Sequence, residues 1–443
     1  MKVNPTRPGL SVTTGGKGVV SHVGARLLVE LADVFGLSDG LSRAMAPTKK
    51  RNRGHDRGRV LVDLAVSIAD GAQTISDLEV LSNQPELFGT LASVPTAWRT
   101  LGSVDQDSRD RIARARAAAR AAAWAAGADP GYYVIDIDAT LVNSHSEKEA
   151  TGPTYKGGYG FSPILAFLDA TAEPLAGMLR PGNAAPGNAA DLVAVLDEAL
   201  AQLPLDPGEV EVTVRSDAAG GSHEFVDAAR ARGIRFCVGH YLSPQWAAII
   251  MNLPEKYWVG AITADGTDER EGSWAAEITD HLDLSAWPEG TRAIARREEA
   301  HPGAQLSFTD SDGHRYQVFI TDLDGDVAFC EATYRGRGRA ECAIRDAKDT
   351  GLAKFPSASA SINAAWLILV LMAGDLLAWM KRICLVGELA KATPRRLRYA
   401  LLHTAGRIVR SARRTSVRVA EGWPWAQELV EAFGRIPSWS TTA

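Results

Sequence analysis

Apolar residues recur at helical spacing through the first part of the chain, over Val23 to Val34, Val60 to Ile68 and the Ala/Arg-rich stretch Ser108 to Ala126, with another start near Ser76. Pro130 ends that pattern. Three β-rich runs follow, Tyr132 to Asp138 (YYVIDID), Gly160 to Leu168 and Pro174 to Arg180, separated by turn residues as in a meander. Ala190 to Leu203 is periodic like a helix, Val210 to Ser216 reads as a strand, Ser222 to Ala231 as a helix and Ile234 to Val238 as a short strand. The expected order is strand, strand, strand, helix, strand, helix, strand. From His240 to about Asp310 the pattern breaks into short β-like pieces rich in Gly, Asp and Trp, which we read as an insertion. Strands are expected again at Tyr316 to Thr321 and Val327 to Tyr334, and a helix from about Arg339 through Thr350. The apolar run Ala364 to Gly374 falls short of the ~20 residues a membrane span requires and reads as a buried core helix.

At 443 residues the chain is long enough for about three domains. Its 46% apolar and 23% charged residues are ordinary for a folded protein. Four cysteines without a Cys-x-x-Cys pair point to neither a zinc framework nor a disulfide scaffold, and fit a reducing cytosol. Met1 to Thr14 lacks the apolar stretch of a signal peptide. The net charge of −5 argues against a uniformly basic coat for nucleic acid, yet it conceals segregation. Lys49 to Arg59 holds six Lys/Arg against one acid, including Lys49, Lys50, Arg51 and Arg53, and Lys391 to Arg418 holds nine with no acid. Asp265 to Glu289 carries eight acids and one base. One such run is usually a solvated face. Two basic runs favour a polyanionic partner.

The chemistry centres on carboxylates where a strand should be apolar. Asp136 and Asp138 alternate with Ile135 and Ile137. Asp217 lies just past the strand VEVTVRS, where open α/β sheets present catalytic groups. A buried carboxylate needs a cation, a metal or a hydrogen-bond donor beside it, and two acids at strand ends suggest a metal. Each could instead cap a turn. A third acid, Glu341, begins the Arg339 to Thr350 helix, in the spacing Tyr334-x2-Arg337-x3-Glu341-x6-Lys348. Glu341 and Lys348 stand two turns apart on one helical face, a combination suited to a divalent metal and a phosphate. No GxxxxGK[ST] loop offers a nucleotide-driven alternative.

These residues resemble the DDE transposases of bacterial insertion sequences, in the group whose catalytic glutamate lies within this Tyr-Arg-Glu-Lys signature. The likeness covers about Tyr132 to Lys348, including Asp138-Ala139-Thr140, VRSDAAG around Asp217, and the blocks Gly158 to Pro163 and Leu179 to Asn183. It implies a ribonuclease H-like mixed α/β fold, its sheet flanked by helices. Asp138, Asp217 and Glu341 would be catalytic and would bind two Mg²⁺, with Mn²⁺ a possible substitute. Asp136 shares the strand face and could be the first ligand instead; Asp138 lies nearer the strand end. Tyr334, Arg337 and Lys348 would grip phosphates, and Lys49, Lys50, Arg51 and Arg53, with the basic tail, duplex DNA.

The expected organisation is a helical DNA-binding region at 1–128, a first part of the catalytic core at 129–240, a β-rich insertion at 241–312, a second core part carrying the glutamate at 313–385, and a basic helical C-terminal region at 386–443. The expected activity is cleavage and strand transfer at the element's ends, on terminal inverted repeats and target DNA, by a homodimer on DNA in the cytoplasm and away from any membrane. Alternatives are a nuclease of the same fold without strand transfer and an inactive DNA-binding derivative. Trp246, Trp258, Trp274 and Trp287 could stack on a displaced base, although core packing is the commoner fate of such residues.

Overall fold

A computed structural model describes residues 11–49, 54–185, 187–299, 310–311, 313–411 and 414–437. The N-terminal part is helical, with α1 (Ala25–Val34), α2 (Leu37–Met45), α3 (Arg57–Ala69), α4 (Val94–Leu101) and α5 (Gln106–Ala123) as its longer helices. A two-residue strand, β1 (Val19–Val20), precedes them. Asp56 and Asp105 cap α3 and α5, each accepting the backbone N–H three residues on.

The meander forms as the period-2 pattern requires. Strands β2 (Tyr133–Ala139), β3 (Ile164–Leu168) and β4 (Glu173–Met178) pair antiparallel in sequence. After α6 (Ala189–Leu200), β5 (Val212–Ser216) lies parallel to β2; after α7 (His223–Ala231), β6 (Arg235–His240) lies parallel to β5. Numbered by appearance, these five strands run 3-2-1-4-5, the ribonuclease H-like order.

The segment read as an insertion extends this sheet. Beyond the helix α8 (Pro244–Met251) come β7 (Val259–Ile262), β8 (Glu269–Glu277) and β9 (Arg292–Glu299), joined antiparallel, and β10 (His314–Thr321) connects β9 to the edge of β6. The open edge of β6 leaves a row of N–H and C=O groups unpaired, and the added strands satisfy them.

Two expectations are corrected. Val327 to Tyr334 is not a strand but the helix α9 (Val327–Arg335). Its Val, Phe, Thr and Tyr favour strands, but Asp326 caps the segment by accepting the Phe329 N–H at 2.7 Å. Val327, Cys330 and Tyr334 recur at helical spacing and pack against Ala275, Ile294 and Phe319. Nor is the basic C-terminal region wholly helical. After the helical turns Pro394–Leu397 and Arg398–Leu402, an antiparallel hairpin, β11 (Gly406–Ser411) and β12 (Arg414–Val419), pairs with β1. Its Val, Ile and Thr residues suit a strand better than a helix.

Two further helices, α10 (Gly338–Ala347) and α11 (Ala360–Trp379), pack on the core. By length and composition α11 could cross a membrane, but most of its apolar surface is buried against protein, as in a core helix. The buried charge on it is Asp375, wholly buried, which accepts from Arg116 at 2.9 Å and Arg120 at 2.5 Å, both on α5. Arg120 also reaches Glu173 of β4 at 2.7 Å. This network fastens the helical region to the sheet, and breaking a buried pair by removing one charge costs about 3–5 kcal/mol. Asp375→Asn should therefore lower unfolding stability by about that amount, measured by urea denaturation; an unchanged midpoint would show that the network carries no such weight.

Candidate active site

The register of the parallel pair builds the site. Ile137 stands opposite Ser216, so the next residues, Asp138 and Asp217, lie side by side where β2 and β5 end. Asp138 accepts the Ala139 N–H at 2.8 Å, and Asp217 accepts the Ala219 N–H at 3.0 Å, closing the turn Ala218–Gly220. The capping role expected as an alternative is therefore present for Asp217, through one oxygen, whereas Asp138 bonds only its own strand neighbour. Both side chains border a cleft with Thr140, Tyr155 and Ser162.

The third acid comes from α10. Ala340, Ala343 and Ile344 bury one face of this helix against β2 and β3, which leaves Glu341 exposed in its first turn. Burial pushes the Asp138 carboxyl up to about 6; the negative charges of Asp217 and Glu341 add to this, while Arg337 opposes it. An Arg337 nitrogen lies 3.6 Å from Asp138. Asp138 thus shares one electrostatic neighbourhood with Asp217, Glu341 and the guanidinium of Arg337.

Asp136 has other work. Its two oxygens accept from Arg215 at 2.7 Å each. Arg215 also meets Asp169 at 2.8 Å and donates to the Thr333 carbonyl at 2.8 Å, while Arg339 grips Asp169 through two 2.6 Å bonds. With both oxygens committed, Asp136 is the weaker candidate for a metal ligand. Neither Arg215 nor Asp169 was singled out from sequence, although an arginine inside an otherwise apolar strand called for a buried acid.

Tyr334 is buried rather than open to a phosphate. Its ring stacks on Phe319 with centroids 4.5 Å apart. Its hydroxyl sits so close to Gly239 that a Cβ there would lie 2.6 Å from it, and the same Cβ would meet the Asp217 carbonyl carbon at 2.9 Å. Lys348 is half-buried, and burial together with the charge of Lys156 lowers its pKa. Lys49 donates to the Gly54 carbonyl at 3.2 Å, whereas Lys50, Arg51 and Arg53 lie outside the described residues. Trp258 and Trp274 both pack against the guanidinium of Arg297, at 4.5 and 4.7 Å. Trp246 stacks on His240 and Trp287 on His223.

The donor set fits Mg²⁺, a hard cation that prefers carboxylate oxygens and keeps positions for water and phosphate. Among the described residues, the trio whose donor atoms all fall within 4.8 Å of one another is His22, Asp70 and His403, not the three acids. Two ions about 3.5–4 Å apart need only one acid in common, so a wider arrangement of the other two is compatible with them.

The strand order, with acids at two adjacent strand ends and a third on the covering helix, defines a ribonuclease H-like protein with a carboxylate site. A family model described as "Transposase DDE domain group 1" matches residues 5–441, and the chain belongs to that family. No curated protein matches the sequence. Among solved structures it is similar to a piggyBac transposase in a synaptic complex with hairpin DNA, with 8% identity, a TM-score of 0.45, and coverage of 88% of this chain and 83% of that one.

The raised pKa makes a signed prediction. Ionised Asp138 costs the metal-free fold nothing below about pH 4, and the cost accumulates up to about pH 6 and stays constant above it. In EDTA, Asp138→Asn should match the wild type at low pH and exceed its stability by up to about 3 kcal/mol above pH 6. A pH-independent difference in denaturation midpoints would contradict this.

Proposed function

We propose that the protein is a DNA transposase that cleaves at the ends of an insertion sequence and joins the freed ends to target DNA. The observation that carries this is the pairing of Asp138 and Asp217 at adjacent strand ends with Glu341 close enough to add to the Asp138 shift. In this reading the three acids hold two Mg²⁺, which when bound would supply activation of the attacking oxygen and stabilisation of the leaving one at a DNA phosphodiester. Water would attack first and free a 3′-hydroxyl, which would then attack the target strand at the same site. No covalent link to the protein is required.

The chain's own residues supply position and charge. Arg337, beside Asp138, is placed to meet a non-bridging phosphate oxygen once a substrate enters. Lys348 and Lys156 offer two neighbouring ammonium groups that an anion would reconcile. The Tyr334 hydroxyl, wedged at Gly239, holds the backbone that carries Asp217. The basic run from Lys49 to Arg59 would meet duplex DNA by its charge. The joining of two ends calls for a homodimer on DNA.

The corrected tail adds a specific grip. Arg407 of β11 stands directly opposite Arg418 of β12, both are exposed, and Arg414 lies exposed on the same hairpin. Like charges facing each other across a ladder are unfavourable until an anion arrives between them. Phosphates of duplex DNA would provide that anion.

Glu341→Gln should reduce metal-dependent cleavage of terminal-repeat DNA by more than about 100-fold while leaving end binding in a gel shift unchanged. Retained cleavage would refute the acid assignment. Replacing both Arg407 and Arg418 with Gln should flatten the slope of log K against log salt by about 1.8, two phosphate contacts' worth; an unaltered slope would remove the hairpin from the DNA interface.

A further inference from the structure

We infer that His22, Asp70 and His403 form a second metal site, of the zinc class, that clamps both ends of the chain onto α3. Sequence offers no hint of it, because the three positions are remote from one another. His22 lies between β1 and α1, Asp70 closes the C-terminus of α3, and His403 ends the helical turn ahead of β11. One donor atom from each lies within 4.8 Å of the other two.

The geometry is that of converging ligands. His22 Nδ1 is 2.6 Å from Asp70 Oδ2, and His403 Nε2 is 3.4 Å from Asp70 Oδ1 and 2.7 Å from the Asp70 carbonyl oxygen. The two imidazole centroids are 4.6 Å apart. Asp70 is only 6% exposed, and the contacts of His22 Nδ1 and Asp70 Oδ1 are ion-pair approaches to each other's residues and to His403 rather than well-formed hydrogen bonds. The nearby Arg398 lends Asp70 charge but no hydrogen bond, because its guanidinium is turned to the carbonyls of Ala69 and Asp349. His22 also holds a left-handed backbone at φ 61°, a conformation that a non-glycine residue adopts at a cost.

A cation bound by two imidazoles and a carboxylate would give both His22 Nδ1 and Asp70 Oδ1 a ligand bond in place of these unaligned contacts. That donor set suits Zn²⁺ rather than Mg²⁺. Tetrahedral donors about 2.0–2.2 Å from zinc stand roughly 3.3 Å apart, so the His22–Asp70 contact would open slightly on binding. The Asp70 carbonyl oxygen or a water can take the fourth position. Exposed His403 leaves an entry path. Val23 donates to the Thr404 carbonyl at 3.0 Å, so the ion would reinforce an existing seam beneath the basic hairpin. This inference is independent of the DNA chemistry proposed above.

The test is a Co²⁺ titration of the metal-stripped full-length protein. We expect the intense visible absorption of tetrahedral Co²⁺ to saturate at one ion per chain, apart from any weakly absorbing ions on the carboxylates, with binding more than about tenfold weaker in His403→Ala and the tetrahedral band unchanged in Glu341→Gln. His403→Cys, which keeps a ligand, should add a thiolate-to-cobalt charge-transfer band and guards against loss of binding through misfolding. Zn²⁺ should raise the Tm of the wild type but not of His403→Ala. Absence of a tetrahedral band, equal affinity in His403→Ala, or no charge-transfer band in His403→Cys would overturn the assignment and leave His22 and Asp70 as a plain ion pair.

Discussion

One buried guanidinium sets the geometry on which the candidate site depends. Arg215 projects from β5, closes on both oxygens of Asp136 in β2, reaches Asp169 beyond β3, and donates to Thr333 near the end of α9. A planar fork of donors can satisfy several acceptors in fixed directions, which a lysine at this position could not do. Through Asp169 the same cluster takes in Arg339, two residues before Glu341. The strands bearing Asp138 and Asp217 and the helix bearing Glu341 are thereby tied to one charge centre.

The carboxylates behind this clamp are left in an unfavourable balance. Asp138, largely out of water, feels the charges of Asp217 and Glu341 against Arg337, and its carboxyl responds with a raised pKa. A fold that keeps such a site has a use for negative charge that a cation would share. Structural acids elsewhere are treated differently. Asp375 and Glu173 are more deeply buried than Asp138 but are matched by Arg116 and Arg120. The contrast between matched and unmatched carboxylates separates the parts of this protein that hold it together from the part that can act.

The sheet carries the same division of labour. Its ribonuclease H-like half positions the acids, and the antiparallel half, β7 to β10, widens it from the edge of β6. The aromatic residues of that second half are spent largely on packing, as the sandwich of Arg297 between Trp258 and Trp274 shows. Trp246 and Trp287 lie instead against His240 and His223, on elements adjoining the Asp217 turn.

Much of this was legible in the chain. Alternation over YVIDID and VEVTVRS located the central strands and the acids at their ends, and the expected helix from about Arg339 located the element that carries Glu341, because the period of a strand or helix is a local property. What α9, the sheet extension and the basic hairpin became was not legible, since residues such as Val, Phe and Thr fit more than one element and burial against distant partners decides among them. The sequence by itself determined the period of each element and the order in which its acids appear. Only the tertiary structure decided which charge meets which: Asp136 with Arg215, Asp138 with Asp217, His22 with Asp70 and His403. Such pairings join segments remote along the chain, and the low-dielectric interior that makes them matter exists only once the chain has folded.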